Sequence, residues 1–266
     1  MAKQQTEPTQ LQLAKRLVEQ LRELRLSAFR DHYANLAERA AKEQWSYPQY
    51  LEALANRELE TRRQGRIQRL AKASRLPSSK SWDSFQWSRV PKLAVQQLQS
   101  LRDGSFLERR ENVLVFGKPG AGKTHALCAL GEQLVLRGRS VFFASCNLLV
   151  QDLLVAKRDL KLKKFIKRLT AFEALIIDDL GYVQQSRDEM EVLFTLLAER
   201  YERGSVLLTS NLPFSQWTQI FKDPMTTAAA IDRLIHHSVI VELNVASYRL
   251  EMAKSSQTAK DKAQEG

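Results

Sequence analysis

The chain has 266 residues, 44% of them hydrophobic and 27% charged, the balance of a globular protein of one or two domains. No apolar run nears the roughly 18 residues that cross a bilayer. The polar start MAKQQTEPTQLQ lacks a signal-peptide core, and Cys128 and Cys146 are too few for a disulfide framework or a zinc site, so a cytoplasmic protein with no membrane partner is expected. The formal charge is +11, and two segments hold all of it: residues 57–75 carry seven Lys and Arg against two acids, and residues 157–168 carry seven against one. Positive charge clustered in this way points to a polyanion, nucleic acid first.

In chain order, Ala14, Leu17, Val18 and Leu21 recur at helical spacing, and Phe29, Tyr33, Leu36, Ala37 and Ala40 repeat the pattern. A break at Trp45–Gln49 follows, in which Ser46 and Gln49 have the spacing of a capping box. A third helix starts at Leu51, and past Leu59 its apolar stripe gives way to arginines, so it is expected to project from the core. Pro77–Ser81 reads as a linker. Residues 1–76 are thus expected to be a small helical domain, residues 77–252 a second domain, and residues 253–266 a polar tail.

From Val113 the texture is α/β. Five short runs (Val113–Phe116, Val141–Ala144, Ala174–Ile177, Val206–Thr209 and Val239–Leu243) alternate with helical stretches, which predicts a five-stranded parallel sheet covered on both faces. Between the first run and a helical stretch lies Gly117-Lys118-Pro119-Gly120-Ala121-Gly122-Lys123-Thr124, followed by His125. This is the pattern of a phosphate-binding loop. Glycines let backbone N–H groups close on phosphate oxygens, Lys123 supplies charge, and Thr124 offers a hydroxyl to magnesium. Asp178 ends the third run, at the sheet edge where ligands bind, and is the expected magnesium partner; Asp179 is set to orient or deprotonate an attacking water. Asn211 ends the fourth run as a γ-phosphate or water sensor. Arg233, in the helical stretch before the fifth run, is a candidate arginine finger acting on a neighbouring subunit.

These residues carry a resemblance. GKPGAGKT, LIIDD, TSN and IDRL resemble the AAA+ ATPases, and within them the helicase-loader branch that holds DnaC and the IstB-like transposition helpers. The N-terminal LRELRLSAFRDHYANLAERA and the C-terminal VIVELNVASYRL are similar to the IstB-like proteins in particular, and Trp82-Asp83-Ser84-Phe85 resembles the segment bordering their adenine pocket. The resemblance implies a P-loop ATPase using ATP and Mg2+, with a small all-α N-terminal domain and no full C-terminal lid. It further implies a homo-oligomer that assembles on duplex DNA with weak sequence specificity, remodels it, and recruits or activates a cognate transposase. The alternative is a DnaC-like loader acting on single-stranded DNA and a replicative helicase. By resemblance Arg249 of Ser247-Tyr248-Arg249 contacts nucleotide. The second acid is Asp179 where the broader AAA+ pattern usually has Glu, one methylene longer, which implies slow hydrolysis.

DNA contacts are expected from Lys157, Arg158, Lys161, Lys163, Lys164, Lys167 and Arg168, with Leu153, Leu154, Leu160, Phe165, Ile166 and Leu169 as apolar anchors among them. Arg62, Arg63, Arg66 and Arg69 are expected to form a second clamp. No aromatic residue interleaves with residues 157–164, which disfavours base stacking and favours phosphate contacts.

Overall fold

The computed structural model describes residues 9–181, 186–218 and 224–248. The chain divides into two compact units, residues 1–68 and 69–266.

The first unit is helical. Helix α1 (Gln10–Glu23), α2 (Ser27–Lys42) and the long α3 (Tyr47–Ser74) form from the periodic segments, and α3 continues past the division between the units. Leu21, Ala28 and Leu54 are buried between them. The capping box is present: the Ser46 N–H donates to Gln49 Oε1 at 2.7 Å and the Gln49 N–H to Ser46 Oγ at 3.4 Å. Glu58 is buried, accepting from the Ala28 N–H at 2.8 Å through one oxygen and from Arg62 Nε at 2.8 Å through the other.

The second unit begins with the end of α3, followed by irregular chain with a short 3-10 turn at Trp87–Arg89, then α4 (Lys92–Ser100) and the single turn α5 (Ser105–Glu108). Five strands follow: β1 (Asn112–Gly117), β2 (Val141–Ser145), β3 (Ala174–Leu180), β4 (Ser205–Ser210) and β5 (Ser238–Leu243). They are all parallel, in the order β2-β3-β4-β1-β5. The connecting helices are α6 (Lys123–Leu136), α7 (Cys146–Arg158), α8 (Leu162–Thr170), α9 (Arg187–Arg200) and α10 (Pro224–Ile235).

The apolar runs follow from burial on both sheet faces. On β3, Leu175 and Ile177 join a core with Leu153, Leu193 and Leu196 of α7 and α9, while Ile176 between them points to Gly131 of α6. A Cβ at Gly131 would lie 2.9 Å from Ile176 Cδ1, so glycine permits the close approach of α6 to the sheet. Arg200 at the end of α9 is buried and donates to four main-chain carbonyls, those of Leu169, Phe172, Glu173 and Ser205, at 2.9–3.1 Å. It thereby ties the end of α8 to the starts of β3 and β4. Burial pushes its pKa down to about 10.

Candidate nucleotide site

At the carboxyl edge of the sheet, β1 runs into the Gly-rich loop and the loop into α6. Gly120 (φ +80°) and Gly122 (φ +93°) occupy left-handed backbone, which glycine adopts without a Cβ penalty. The loop folds back on itself: the Ala121 N–H donates to the Lys118 carbonyl at 3.1 Å, and the Lys123 ammonium donates to the same carbonyl at 3.2 Å. Lys123 is only 5% exposed. Pro119 to His125 line a cavity of about 480 Å³. Gly117 and Lys118 sit behind its wall, and a Cβ at Gly117 would lie 2.5 Å from the Leu243 carbonyl of β5.

Asp178 does not itself line the cavity but is the neighbour of Asp179, which does. Asp178 is buried; Thr209 Oγ1 of β4 donates to its Oδ1 at 2.6 Å, and the Thr124 hydroxyl stands beside it and favours its charged form. Burial raises its pKa above the ordinary carboxylate value, the Thr209 hydrogen bond lowers it, and the charge of Asp179 raises it. The register of β3 against β4 slips between Ile177 and Leu180, and Asp179 stands there with φ +61°. This irregularity turns Asp179 out of the strand pattern so that it lines the cavity, while its N–H donates to Thr209 Oγ1 at 2.7 Å. Asn211 lines the same cavity. The structure therefore brings Lys123, Thr124, Asp178, Asp179 and Asn211 to one place.

The rest of the wall comes from the segment before α4 and from the chain after β5. Ser84 and Phe85 line the cavity, the Phe85 ring against Gly122 and 5.0 Å edge-to-face from His125. Trp82 does not reach it. Its ring is buried against Trp87 at 4.2 Å and under the Arg102 guanidinium at 4.4 Å. Burial lowers the pKa of His125, whose Nε2 lies 3.1 Å from the Ser81 carbonyl. After β5, the Tyr248 N–H donates to the Gly120 carbonyl at 3.1 Å, and the Arg89 guanidinium stacks over the Tyr248 ring at 5.0 Å. Ser247 is so close to the loop that a Cβ at Gly120 would lie 2.1 Å from its Oγ.

Arg233 is not in this cavity. It lies at the amino edge of the sheet, where its carbonyl and that of Leu234 accept from Asn112 Nδ2 at 3.4 and 3.0 Å. Its guanidinium covers the Phe194 ring at 4.7 Å, and Nη1 is buried without a hydrogen-bond partner among the described residues. Arg249 lies outside the described residues. Sequence reasoning assigned no role to Thr209, Lys80 or Arg89; the one signal for Thr209 was a polar residue beside Ser210-Asn211 at the end of an apolar strand.

The second basic cluster falls on α7, α8 and their junction. Ile166 and Leu169 are buried beneath α8, and Lys161, Lys163, Lys164 and Lys167 are exposed with no ion pair among the described residues. Lys157 pairs with Glu191 at 3.1 Å, Arg158 with Asp159 at 3.7 Å, and Arg168 lies over Phe165 at 4.8 Å. Leu160 is 95% exposed and so is not the apolar anchor expected of it; it stands at the α7–α8 turn with φ +56°, where its side chain is carried away from the core. In the helical unit Arg63 and Arg66 are exposed on α3, as is Arg69 further along the helix. Arg62 differs: besides pairing with Glu58 it donates to the Arg25 carbonyl at 3.0 Å, so its guanidinium binds α3 to the α1–α2 turn.

Residues 19–256 match the family model described as IstB-like ATP binding protein. The chain is 42% identical over 234 residues to an insertion sequence ATP-binding protein of Sinorhizobium fredii, covering 88% of this chain and 78% of that one. It is 35% identical over 231 residues to the IS21 ATP-binding protein of Pseudomonas aeruginosa, covering 87% of each. Among solved structures, AMPPCP-bound DnaA from Aquifex aeolicus superposes with a TM-score of 0.55 at 17% identity, over 70% of this chain and 56% of that one. The DnaC helicase loader superposes with a TM-score of 0.53 at 16% identity, over 62% of this chain and 97% of that one. At such identities the likeness is one of fold, and that fold is the parallel α/β domain described above. No described helix is long and apolar enough to cross a membrane. With the phosphate loop, the strand-end carboxylates and the matched length in agreement, the chain belongs to the family of IstB-like ATP binding proteins.

Proposed function

We propose that the chain hydrolyses ATP and regulates transposition. In this reading it oligomerises on duplex DNA, remodels it, and recruits or activates a partner transposase. The observation that carries the reading is the convergence of Lys123, Thr124, Asp178, Asp179 and Asn211 around one cavity at the carboxyl edge of a parallel sheet. Lys123 and the loop N–H groups hold the β and γ phosphates. The Thr124 hydroxyl and the buried Asp178 carboxylate form a set of hard oxygen donors that fits Mg2+, which when bound neutralises phosphate charge. Asp179, at the cavity surface, orients or deprotonates the attacking water, and Asn211 contacts that water or the γ-phosphate. Arg233, remote from its own cavity, acts on the site of an adjoining subunit. Arg249 is assigned to the nucleotide by resemblance alone.

DNA lies against Lys161, Lys163, Lys164 and Lys167, with Lys157, Arg158 and Arg168 beside them and Arg63, Arg66 and Arg69 as a second contact. Arg62 contributes there only through the face left by its tie to Glu58. The insertion-sequence names of the relatives support a transposition role over helicase loading, and the fold shared with DnaC is compatible with both. Electron microscopy with duplex DNA and ATP tests the reading. DNA-bound oligomers are expected for the wild type and not for Lys123→Ala; equal assembly without nucleotide, or by the variant, refutes it.

A further inference from the structure

The segment from Leu76 to Phe85 is pinned along α6. Leu76 packs on Gly131, where a Cβ would lie 3.2 Å from Leu76 Cδ2. The Trp82 N–H donates to Glu132 Oε2 at 2.8 Å, and the Ser81 carbonyl and Ser84 hydroxyl each lie 3.1 Å from His125 Nε2. These contacts hold Lys80, the neighbour of Ser81, beside the first turn of α6 and the end of the phosphate loop. Lys80 lines the cavity together with Lys123, Thr124 and Asp179.

Lys80 is half-buried, and its ammonium has neither a hydrogen bond nor an ion pair among the described residues. Its positive charge reaches Asp178, His125 and Cys128, which belong to β3 and α6, the elements under and beside the cavity. Lys123 differs, since it already has the Lys118 carbonyl. A cation that has lost part of its hydration and gained no direct hydrogen bond or ion pair is a group whose balance is restored by an anion. The anion that fits this cavity is the phosphate tail of a nucleotide.

We propose that Lys80 is a second phosphate-binding lysine, whose ammonium donates to the terminal phosphate oxygens of the bound nucleoside triphosphate from the segment that straps α6. The proposal rests on the ATP-site reading above and adds a residue to it.

The test is the affinity of the full chain for ATP, ADP and AMP, measured by calorimetry for the wild type, Lys80→Ala, Lys80→Arg and Lys123→Ala, with melting curves to verify folding. For Lys80→Ala, ATP affinity is expected to fall on the order of tenfold, ADP affinity by less, and AMP affinity not at all, with Lys80→Arg retaining most of the wild-type value. If Lys80→Ala fails to melt cooperatively, Lys80→Met, which keeps the apolar stem, takes its place. ATP affinity within about twofold of wild type, or an equal loss for all three nucleotides, overturns the proposal while leaving the ATP site intact. A wild type that does not bind ATP, or that binds it undiminished after Lys123→Ala, overturns both.

Discussion

The hydroxyl of Thr209 serves both strand-end acids of β3: it donates to Asp178 Oδ1 at 2.6 Å and accepts from the N–H of its neighbour Asp179 at 2.7 Å. One side chain on β4 thus sets the position of a buried carboxylate and of the irregular backbone that presents the exposed one. Thr209→Val keeps the shape and removes the hydroxyl. It is expected to lower ATP turnover by about 10- to 100-fold with a much smaller change in ATP affinity, and to cost about 1–3 kcal/mol of stability for the groups left unpaired. Steady-state kinetics beside urea unfolding separates these effects; unchanged turnover would remove Thr209 from the site.

Gly120→Ala tests the contact between the phosphate loop and the chain after β5. The new methyl would sit 2.1 Å from Ser247 Oγ on a backbone with φ +80°. ATP affinity is expected to fall at least tenfold, since loop and segment 245–248 must part. Adding Ser247→Gly relieves the clash but leaves about 1–2 kcal/mol of backbone strain, so calorimetry should find partial recovery in the double variant.

Ionised Asp178 is a burden on the nucleotide-free fold. Burial raises its pKa, so its contribution to stability is present below the unfolded-state pKa and is lost as pH rises through the native one. Asp178→Asn is therefore expected to melt a few degrees above wild type at pH 7 without nucleotide, the gap closing below about pH 4, while magnesium-dependent turnover is lost. A variant that melts lower at neutral pH contradicts this account.

Arg200 provides a test of the fold separate from the site. Arg200→Met removes the donor that four main-chain carbonyls share, two of the bonds buried and two part-buried, and is expected to destabilise the second unit by about 3 kcal/mol in urea titration. ATP affinity of the folded fraction should not change.

For the proposed DNA surface, the logarithm of affinity should fall linearly with the logarithm of salt concentration. Replacing Lys161, Lys163, Lys164 and Lys167 with Ala should make that slope shallower by about four counterions' worth, nearly equally for unrelated duplexes. A flat salt dependence in the wild type would exclude phosphate contacts as the source of binding.

The strands, the phosphate loop and helices α1, α2 and α6 were legible because each is written in consecutive residues: apolar runs for β1 to β5, helical spacing for α1 and α2, Gly-x-x-x-x-Gly-Lys-Thr for the turn into α6. What escaped was set by pairs distant in sequence. Arg62 reads as one more cation in a basic run, and only the fold brings it to Glu58 and the Arg25 carbonyl. Leu160 reads as an anchor because it is apolar, but a left-handed turn carries it outward. Thr209 reads as a strand residue, and its role depends on a register slip between β3 and β4 that no local pattern encodes. Pro77 to Ser81 read as a linker, yet the Ser81 carbonyl lies against His125 and Ser79 and Lys80 line the cavity.

The hydrogen bond from Tyr248 to the Gly120 carbonyl has a consequence for biosynthesis. On the ribosome the glycine loop emerges long before its last neighbour is translated, and β1 waits equally long for β5. A nascent chain stalled ahead of Ser247 holds the glycine loop, Asp178, Asp179 and Asn211 but not the segment that backs the loop. The backing of the loop is therefore made late in translation, after the basic helices.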